Sequence, residues 1–185
     1  MRVDARLYRD VDAAARKELE RLRVKVHSSG ISRLGSDLRW ADVNPDTEYL
    51  IRVVDGREVL RACSWATRQA IRVSSREIPV AGIRGVMTDP DQLRRGYGRA
   101  VMERAHELMR SFPGCEVALL FSTVMAVPFY EALGWRAIPG PVTCDQPDGP
   151  INYTEALPTA PVMALPLRPS ADLPSGPLEA VGFPW

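Results

Sequence analysis

The apolar pattern opens with a short strand over residues 3–9 and changes period at Asp12. Asp12 is placed to cap an amphipathic helix from Ala13 to about Val26, with Leu19, Leu22, Val24 and Val26 as its apolar positions. Ser28-Ser29-Gly30 stops it, and the mixed stretch from Ile31 to Pro45 has room for a second short helix ending near Trp40. Tyr49–Val54 and Glu58–Cys63 bracket Asp55-Gly56, a strong hairpin signal, and the second of these strands runs on to Val73. A turn at Ser74-Ser75-Arg76-Glu77 leads back along Ile78 to Met87. There follow a helix from Gly98 to Arg110, a buried strand Val117–Phe121, a short helix from Val127 to Leu133 and a strand from Gly134 to Ile138. Pro, Gly and Asp crowd residues 139–161, which read as loop; Val162–Leu167 is a last strand, and 168–185 a proline-rich tail. A meander followed by helix, strand, helix, strand predicts one α+β or α/β sheet layer, not a doubly wound sheet.

Composition narrows the class. A chain of 185 residues, 45% hydrophobic and 25% charged, predicts one compact domain, 1–185, with a substantial core. A net charge of +1 provides no global field for nucleic acid or membrane. The cations are almost all arginine, Lys17 and Lys25 being the only lysines, as GC-rich codon usage would produce. Cys63, Cys115 and Cys144 are odd in number and at no metal-ligand spacing, which points to a reducing cytoplasm. His27 and His106 are too scattered for a zinc site, and no metal is expected. There is no 18-residue apolar run, and the first residues lack a signal peptide's apolar core.

Candidate chemistry concentrates in Gly85-Val86-Met87-Thr88-Asp89-Pro90-Asp91-Gln92-Leu93-Arg94-Arg95-Gly96-Tyr97-Gly98-Arg99. A strand ends here in a glycine-bearing turn and a long helix begins. Glycine lets consecutive N–H groups point into one concavity, and the helix start adds unpaired N–H groups and a positive dipole end. Such a place binds phosphate, and arginines at 94, 95 and 99 reinforce it. The pattern is neither the dinucleotide fingerprint nor the nucleotide-triphosphate loop, whose Gly-Lys-Ser/Thr ending is absent.

About thirty residues on, Ser122-Thr123-Val124-Met125-Ala126-Val127-Pro128-Phe129-Tyr130-Glu131-Ala132-Leu133-Gly134-Trp135 follows the buried strand. A Phe-Tyr-Glu-x-Leu-Gly-aromatic helix, ordered after an Arg-Arg-Gly-x-Gly loop, resembles the GNAT superfamily of acyl-CoA-dependent acyltransferases. The resemblance implies one mixed sheet with helices on both faces and a V-shaped splay between the fourth and fifth strands. It implies that Arg94, Arg95, Gly96, Tyr97, Gly98 and Arg99 bind the coenzyme A pyrophosphate, and that the backbone of Val86 and Met87 pairs with the pantetheine arm. Tyr130 becomes the general acid that protonates the departing thiolate, and Ser122 a second catalytic candidate. The chemistry agrees: acyl transfer from a thioester needs a proton for the leaving sulfur, and a tyrosine hydroxyl of pKa about 10 held against it can supply one. Leu93 departs from the pattern, standing where the family usually has Gln or Arg, with Gln92 just before it.

From about residue 40 onward the chain looks most like the aminoglycoside 2'-N-acetyltransferases, with the nodulation acyltransferases more distant. The marks are Trp40 ahead of the Tyr49 strand, the long hairpin around Ser74-Ser75, Trp135 before Gly140-Pro141, Asp148-Gly149 before the final strand, and a tail closing on Trp185. Acceptor-side candidates are accordingly Arg84, Arg39, Trp40, Asp148 and Trp185, the tail folding back toward that site. Yet Arg84 stands where those enzymes carry a glutamate base, and Arg39 where they carry an acid. The reversed field disfavours a polycation and fits a neutral or anionic amine, with Arg84 holding an acceptor carboxylate. The proton then leaves by water, a backbone relay, or Asp37, Asp145 or Asp148.

The expectation is thus an N-acyltransferase, acetyl-CoA its default donor, acting on a small amine in antibiotic biosynthesis or resistance. An acyl carrier protein, whose acidic surface suits Arg94, Arg95, Arg99 and Arg104, is the alternative donor. A non-catalytic acyl-CoA sensor is the rival from another class, favoured by the missing glutamate and opposed by Tyr130. Oligomeric state stays open, a homodimer included.

Overall fold

The computed structural model describes residues 1–29, 42–174 and 176–181; the helix anticipated before Trp40, and with it Arg39, Trp40 and Trp185, lies outside the described residues. The strands are β1 (Arg2–Leu7), β2 (Tyr49–Val54), β3 (Leu60–Val73), β4 (Arg76–Thr88), β5 (Val117–Phe121), β6 (Arg136–Ala137), β7 (Val142–Cys144), β8 (Ile151–Asn152), β9 (Val162–Pro166) and β10 (Leu178–Ala180). The helices are α1 (Ala13–Ser28), α2 (Tyr97–Met109), α3 (Val127–Glu131) and α4 (Tyr153–Ala156). Parallel and antiparallel pairings coexist, so the fold is α+β with a mixed sheet. Among the described residues no helix is long and apolar enough to cross a membrane.

The backbone gathers into two compact units, and β3 and β4 run through both, changing unit after Thr67 and Gly82. In the first unit β1 lies antiparallel on β2 from Arg2↔Val54 to Leu7↔Tyr49, and β2 antiparallel on β3 from Tyr49↔Ala66 to Val54↔Leu60. Asp12 caps α1 as expected, its carboxylate accepting the Ala15 N–H at 2.8 Å. Ala15, Leu19, Leu22 and Val26, spaced three or four apart, pack on Leu50, Val54, Leu60 and Cys63. Val24 does not belong to this stripe: two residues past Leu22, it falls on the far side of the helix and is exposed. Ile51 and Val53 point to the opposite face of β2, are also fully buried, and α2 is the helix near β1 and β2. Helices therefore cover both faces of this unit.

In the second unit the hydrogen-bonded order is β6-β9-β5-β4-β3-β10-β7-β8. Ile71, Val80, Leu119, Val142, Tyr153 and Leu178 share its core. Ser74 (φ 47°) and Ser75 (φ 68°) are both left-handed, the two-residue turn that closes β3 on β4 in keeping with strand twist. The parallel pairing of β4 and β5 covers Ala81↔Ala118 and Gly82↔Leu119, and from Ile83 onward β4 carries no β5 partner among the described residues. The pairing of the fourth and fifth strands thus ends at Gly82, where the resemblance led one to expect it to stop.

Two expectations need correcting. Residues 139–161 are not all loop, for they contain β7, β8 and α4, and the tail supplies β10. Strands of two or three residues are too short to display alternation; β10 exists because β3 and β7 flank it.

Candidate functional site

The local chemistry begins with a backbone bend. Gly85 in β4 has φ +57°, and a Cβ there would meet Trp65 Cε3 at 2.8 Å and Cζ3 at 2.9 Å. Only glycine tolerates both the dihedral and the indole lying against the strand. Beyond the bend Val86 is half-buried, and Met87 is buried in the core beneath α1. Asp89 caps a short 3-10 turn, Pro90–Gln92. The chain then takes left-handed backbone at Arg94 (φ 61°) and Gly96 (φ 82°) before α2 starts at Tyr97, one residue earlier than expected. Glycine at 96 is required for its dihedral alone, since a Cβ would meet nothing within 4 Å.

The first intrahelical bond of α2 runs from the Ala100 N–H to the Gly96 carbonyl at 2.9 Å. The N–H groups of Tyr97, Gly98 and Arg99 therefore point out of the helix end, where the dipole is positive. Arg94, Arg95 and Arg99 are exposed beside them, Arg99 lying 3.7 Å from Glu103. Convergent N–H groups, open space above Gly96 and three guanidinium groups suit a diphosphate, so these residues fit the coenzyme A pyrophosphate.

Arg84, just before the bend, where the sequence suggested a clamp for an acceptor carboxylate, is paired within the protein. Its guanidinium grips the Glu48 carboxylate in two hydrogen bonds, Nη2 to Oε1 at 2.9 Å and Nε to Oε2 at 3.1 Å. Glu48 also accepts the Asn44 N–H at 2.9 Å. The two side chains are 11% and 3% exposed, so this ion pair is closed off from water. Burial pushes the Glu48 carboxyl up, against the opposing pull of the Asn44 N–H and Arg84. An acceptor carboxylate would have to displace Glu48, and Arg84 is reassigned from acceptor clamp to buried ion-pair partner. Sequence reasoning missed Glu48, although it shares the period-2 face of buried Leu50 and so had to point inward.

Tyr130, Ser122 and Asp148 belong to the second unit. Tyr130 is 8% exposed, on α3, with Phe129 edge-on at 5.2 Å and Trp135 edge-on at 6.3 Å between ring centres. Its carbonyl accepts the N–H groups of Leu133 and Trp135, and Gly134 (φ +88°) makes that reversal. Burial pushes the Tyr130 hydroxyl up, so it keeps its proton throughout the physiological range. Ser122 is buried and its hydroxyl donates to the Thr123 carbonyl at 2.8 Å, a bond that ties down the segment after β5. Asp145 and Asp148 are exposed between β7 and β8. The three cysteines are free and buried, burial pushing the Cys63 thiol up to about 12, so none is a poised nucleophile.

Comparison with known proteins bears on this arrangement. The family profile of the acetyltransferase (GNAT) domain matches residues 36–138, more than half of the chain. Among solved structures, Escherichia coli ElaA superposes with a TM-score of 0.61 at 15% identity, covering 89% of this chain and 98% of its own. Pyrococcus horikoshii PH1933 gives 0.57 at 13% identity, over 93% of this chain and 100% of its own. The ribosomal-protein-S18-alanine N-acetyltransferase of Escherichia coli gives 0.50 at 17% identity, over 92% and 97%. No curated protein matches the chain.

Proposed function

Because the chain belongs to the GNAT acetyltransferase family, we propose that it moves an acyl group, acetyl by default, from acyl-CoA to the amine of a small neutral or anionic metabolite. The observation that carries the donor side is the end of α2, where Gly96 turns the backbone and three N–H groups open beside Arg94, Arg95 and Arg99. Coenzyme A supplies an activated thioester and a thiolate leaving group. The loop holds its pyrophosphate, and the free backbone edge at Val86 and Met87 aligns the pantetheine arm. Tyr130, protonated in its apolar surroundings, gives the departing sulfur its proton.

On the acceptor side, the buried Arg84–Glu48 pair is charge-balanced. A balanced pair offers no uncompensated acid to draw a polycationic sugar, which supports a neutral or anionic acceptor over an aminoglycoside. A guanidinium does not accept a proton at neutral pH, so the proton of the amine leaves through water, a backbone relay, or an acid such as Asp37, Asp145 or Asp148.

The test is thiol release from acetyl-CoA across a panel of carboxylated, neutral and polycationic amines, run beside native mass spectrometry of the purified protein for co-purified acyl-CoA. Turnover with neutral or carboxylated amines is the expected result. Faster turnover of a 2'-amino aminoglycoside than of any of these overturns the acceptor assignment, and failure to bind coenzyme A overturns the donor assignment.

A further inference from the structure

The turn that leads into the donor loop is held by a buried carboxylate. The Asp89 side chain is 0% exposed, yet it is ionically engaged from two sides. The Lys25 ammonium, in the last turn of α1, bonds one of its oxygens and also reaches Asp91 at 2.7 Å. Arg61 Nη1, near the start of β3, donates to the other oxygen at 2.9 Å and is itself held by Asp55 at 2.8 Å. The Asp91 N–H donates to the first carboxylate oxygen at 3.2 Å. The backbone is pinned as well, the Asp89 N–H to the Arg61 carbonyl at 2.7 Å and the Gln92 N–H to the Asp89 carbonyl at 2.8 Å. Burial works against the ionised form, but Lys25, the Asp91 N–H and Arg61 together keep the Asp89 carboxyl below its usual range.

The lysine is itself informative, because the chain has only two among 24 basic residues. Its compact ammonium bridges Asp89 and Asp91 from a single nitrogen, whereas Arg61 bridges Asp55 and Asp89 through separate nitrogens of a planar fork. At the C-terminal turn of α1 the charge also meets the negative end of the helix dipole. Between this clamp and α2 the chain holds left-handed backbone at Arg94 and Gly96. At Arg94, which is not glycine, such a conformation persists only where the surroundings over-determine it.

We infer that Asp89, clamped by Lys25 and Arg61, is a positioning residue that pre-sets the 93–96 turn for the donor pyrophosphate. The inference rests on assigning residues 94–99 to the donor. A cradle already in its bound shape spares the ligand the cost of ordering it, so loosening the clamp acts on donor affinity and not on the chemical step.

The test uses the full chain with Asp89→Asn and Lys25→Met, compared with Arg95→Ala and Arg99→Ala. Calorimetry with coenzyme A and steady-state kinetics with acetyl-CoA are run at a temperature where thermal unfolding shows each variant fully folded. Asp89→Asn and Lys25→Met are expected to weaken coenzyme A binding and raise the donor KM by about tenfold, with kcat within about threefold. Lys25→Arg, which keeps the charge but replaces the single compact ammonium with a bulkier planar fork, should fall between Lys25→Met and the unaltered protein. If Asp89→Asn does not fold, Lys25→Met carries the comparison, since Lys25 is a third exposed at a helix end. Unchanged affinity in folded Asp89→Asn and Lys25→Met, with a loss in the Arg95 and Arg99 variants, overturns the positioning role and leaves the donor loop standing. Unchanged affinity in all four overturns both.

Discussion

Arg84→Met isolates what the buried ion pair contributes. The substitution leaves the Glu48 carboxylate, 3% exposed, with the Asn44 N–H in place of the guanidinium fork. Stripping one partner from a buried pair costs about 3–5 kcal/mol, because the survivor is a buried, uncompensated charge. In a chain of this size 1 kcal/mol moves the midpoint by about 2–4 °C, so Tm should fall by about 6–20 °C. Glu48→Gln with Arg84→Met together should recover most of this, since a buried pair replaced by neutral groups is often energetically neutral. The pH dependence has a definite sign. Burial already raises the Glu48 pKa above the ordinary glutamate value, so the protonated form is the one folding favours, and stability declines as pH rises through the folded value. Removing Arg84 raises that value further, so the Arg84→Met penalty must be larger at pH 8 than at pH 5. Urea unfolding of the four proteins at both pH values reads out the cycle. Additive single substitutions, or a penalty that ignores pH, would refute this account of the pair. Arg84→Glu, in contrast, would set two carboxylates face to face and unfold the site before acceptor charge could be read from it.

Tyr130→Phe should leave coenzyme A affinity and folding intact while turnover drops by about 10²–10⁴-fold; full turnover would show that another group protonates the thiolate. Arg94→Gly removes a left-handed arginine (φ 61°) and should stabilise the protein by about 0.5–1 kcal/mol in urea, relief of strain exceeding the added freedom of the unfolded chain. A loss of stability would mean that the arginine side chain anchors the turn. His106 on α2 is depressed to about 4 by burial and, less, by the charge on Arg110, so it folds neutral. Its contribution is complete above pH 6.5 and disappears as pH falls through about 4, roughly 3 kcal/mol in all. Unfolding measured from pH 7 to 4 should be less pH-dependent in His106→Gln, and identical slopes would contradict the assignment.

The strands and helices with several turns of consistent period were legible residue by residue. Asp12 capping α1, the Asp55-Gly56 hairpin, the Ser74-Ser75 reversal and the buried run of β5 all follow from local chemistry. The α2 loop was legible for the same reason, since a turn and a helix start are local events. What escaped notice depends on residues far apart in the chain. Glu48 and Arg84 are separated by 36 positions, and Lys25 and Asp89 by 64, so neither pair is visible to a window of one element. A charge read alone suggests a ligand; its partner, two strands or a helix away, is what turns it into a buried pair. The short strands β7, β8 and β10 escaped because pairing, not composition, defines them.

The strand order of the second unit also sets a timetable for its birth. β10 lies between β3 and β7, yet of the strands among the described residues it is the last to emerge from a ribosome. Arg72 and Glu179, ion-paired across the β3–β10 junction, stand 107 residues apart. At about 5–20 residues per second, β3 waits about 5–20 s for the strand that covers it. During that interval Ile71 and Val73 border an open ladder, and β7 and β8 have only each other. An open ladder is a template for any passing strand, so the nascent chain depends on shielding until the closing strand arrives.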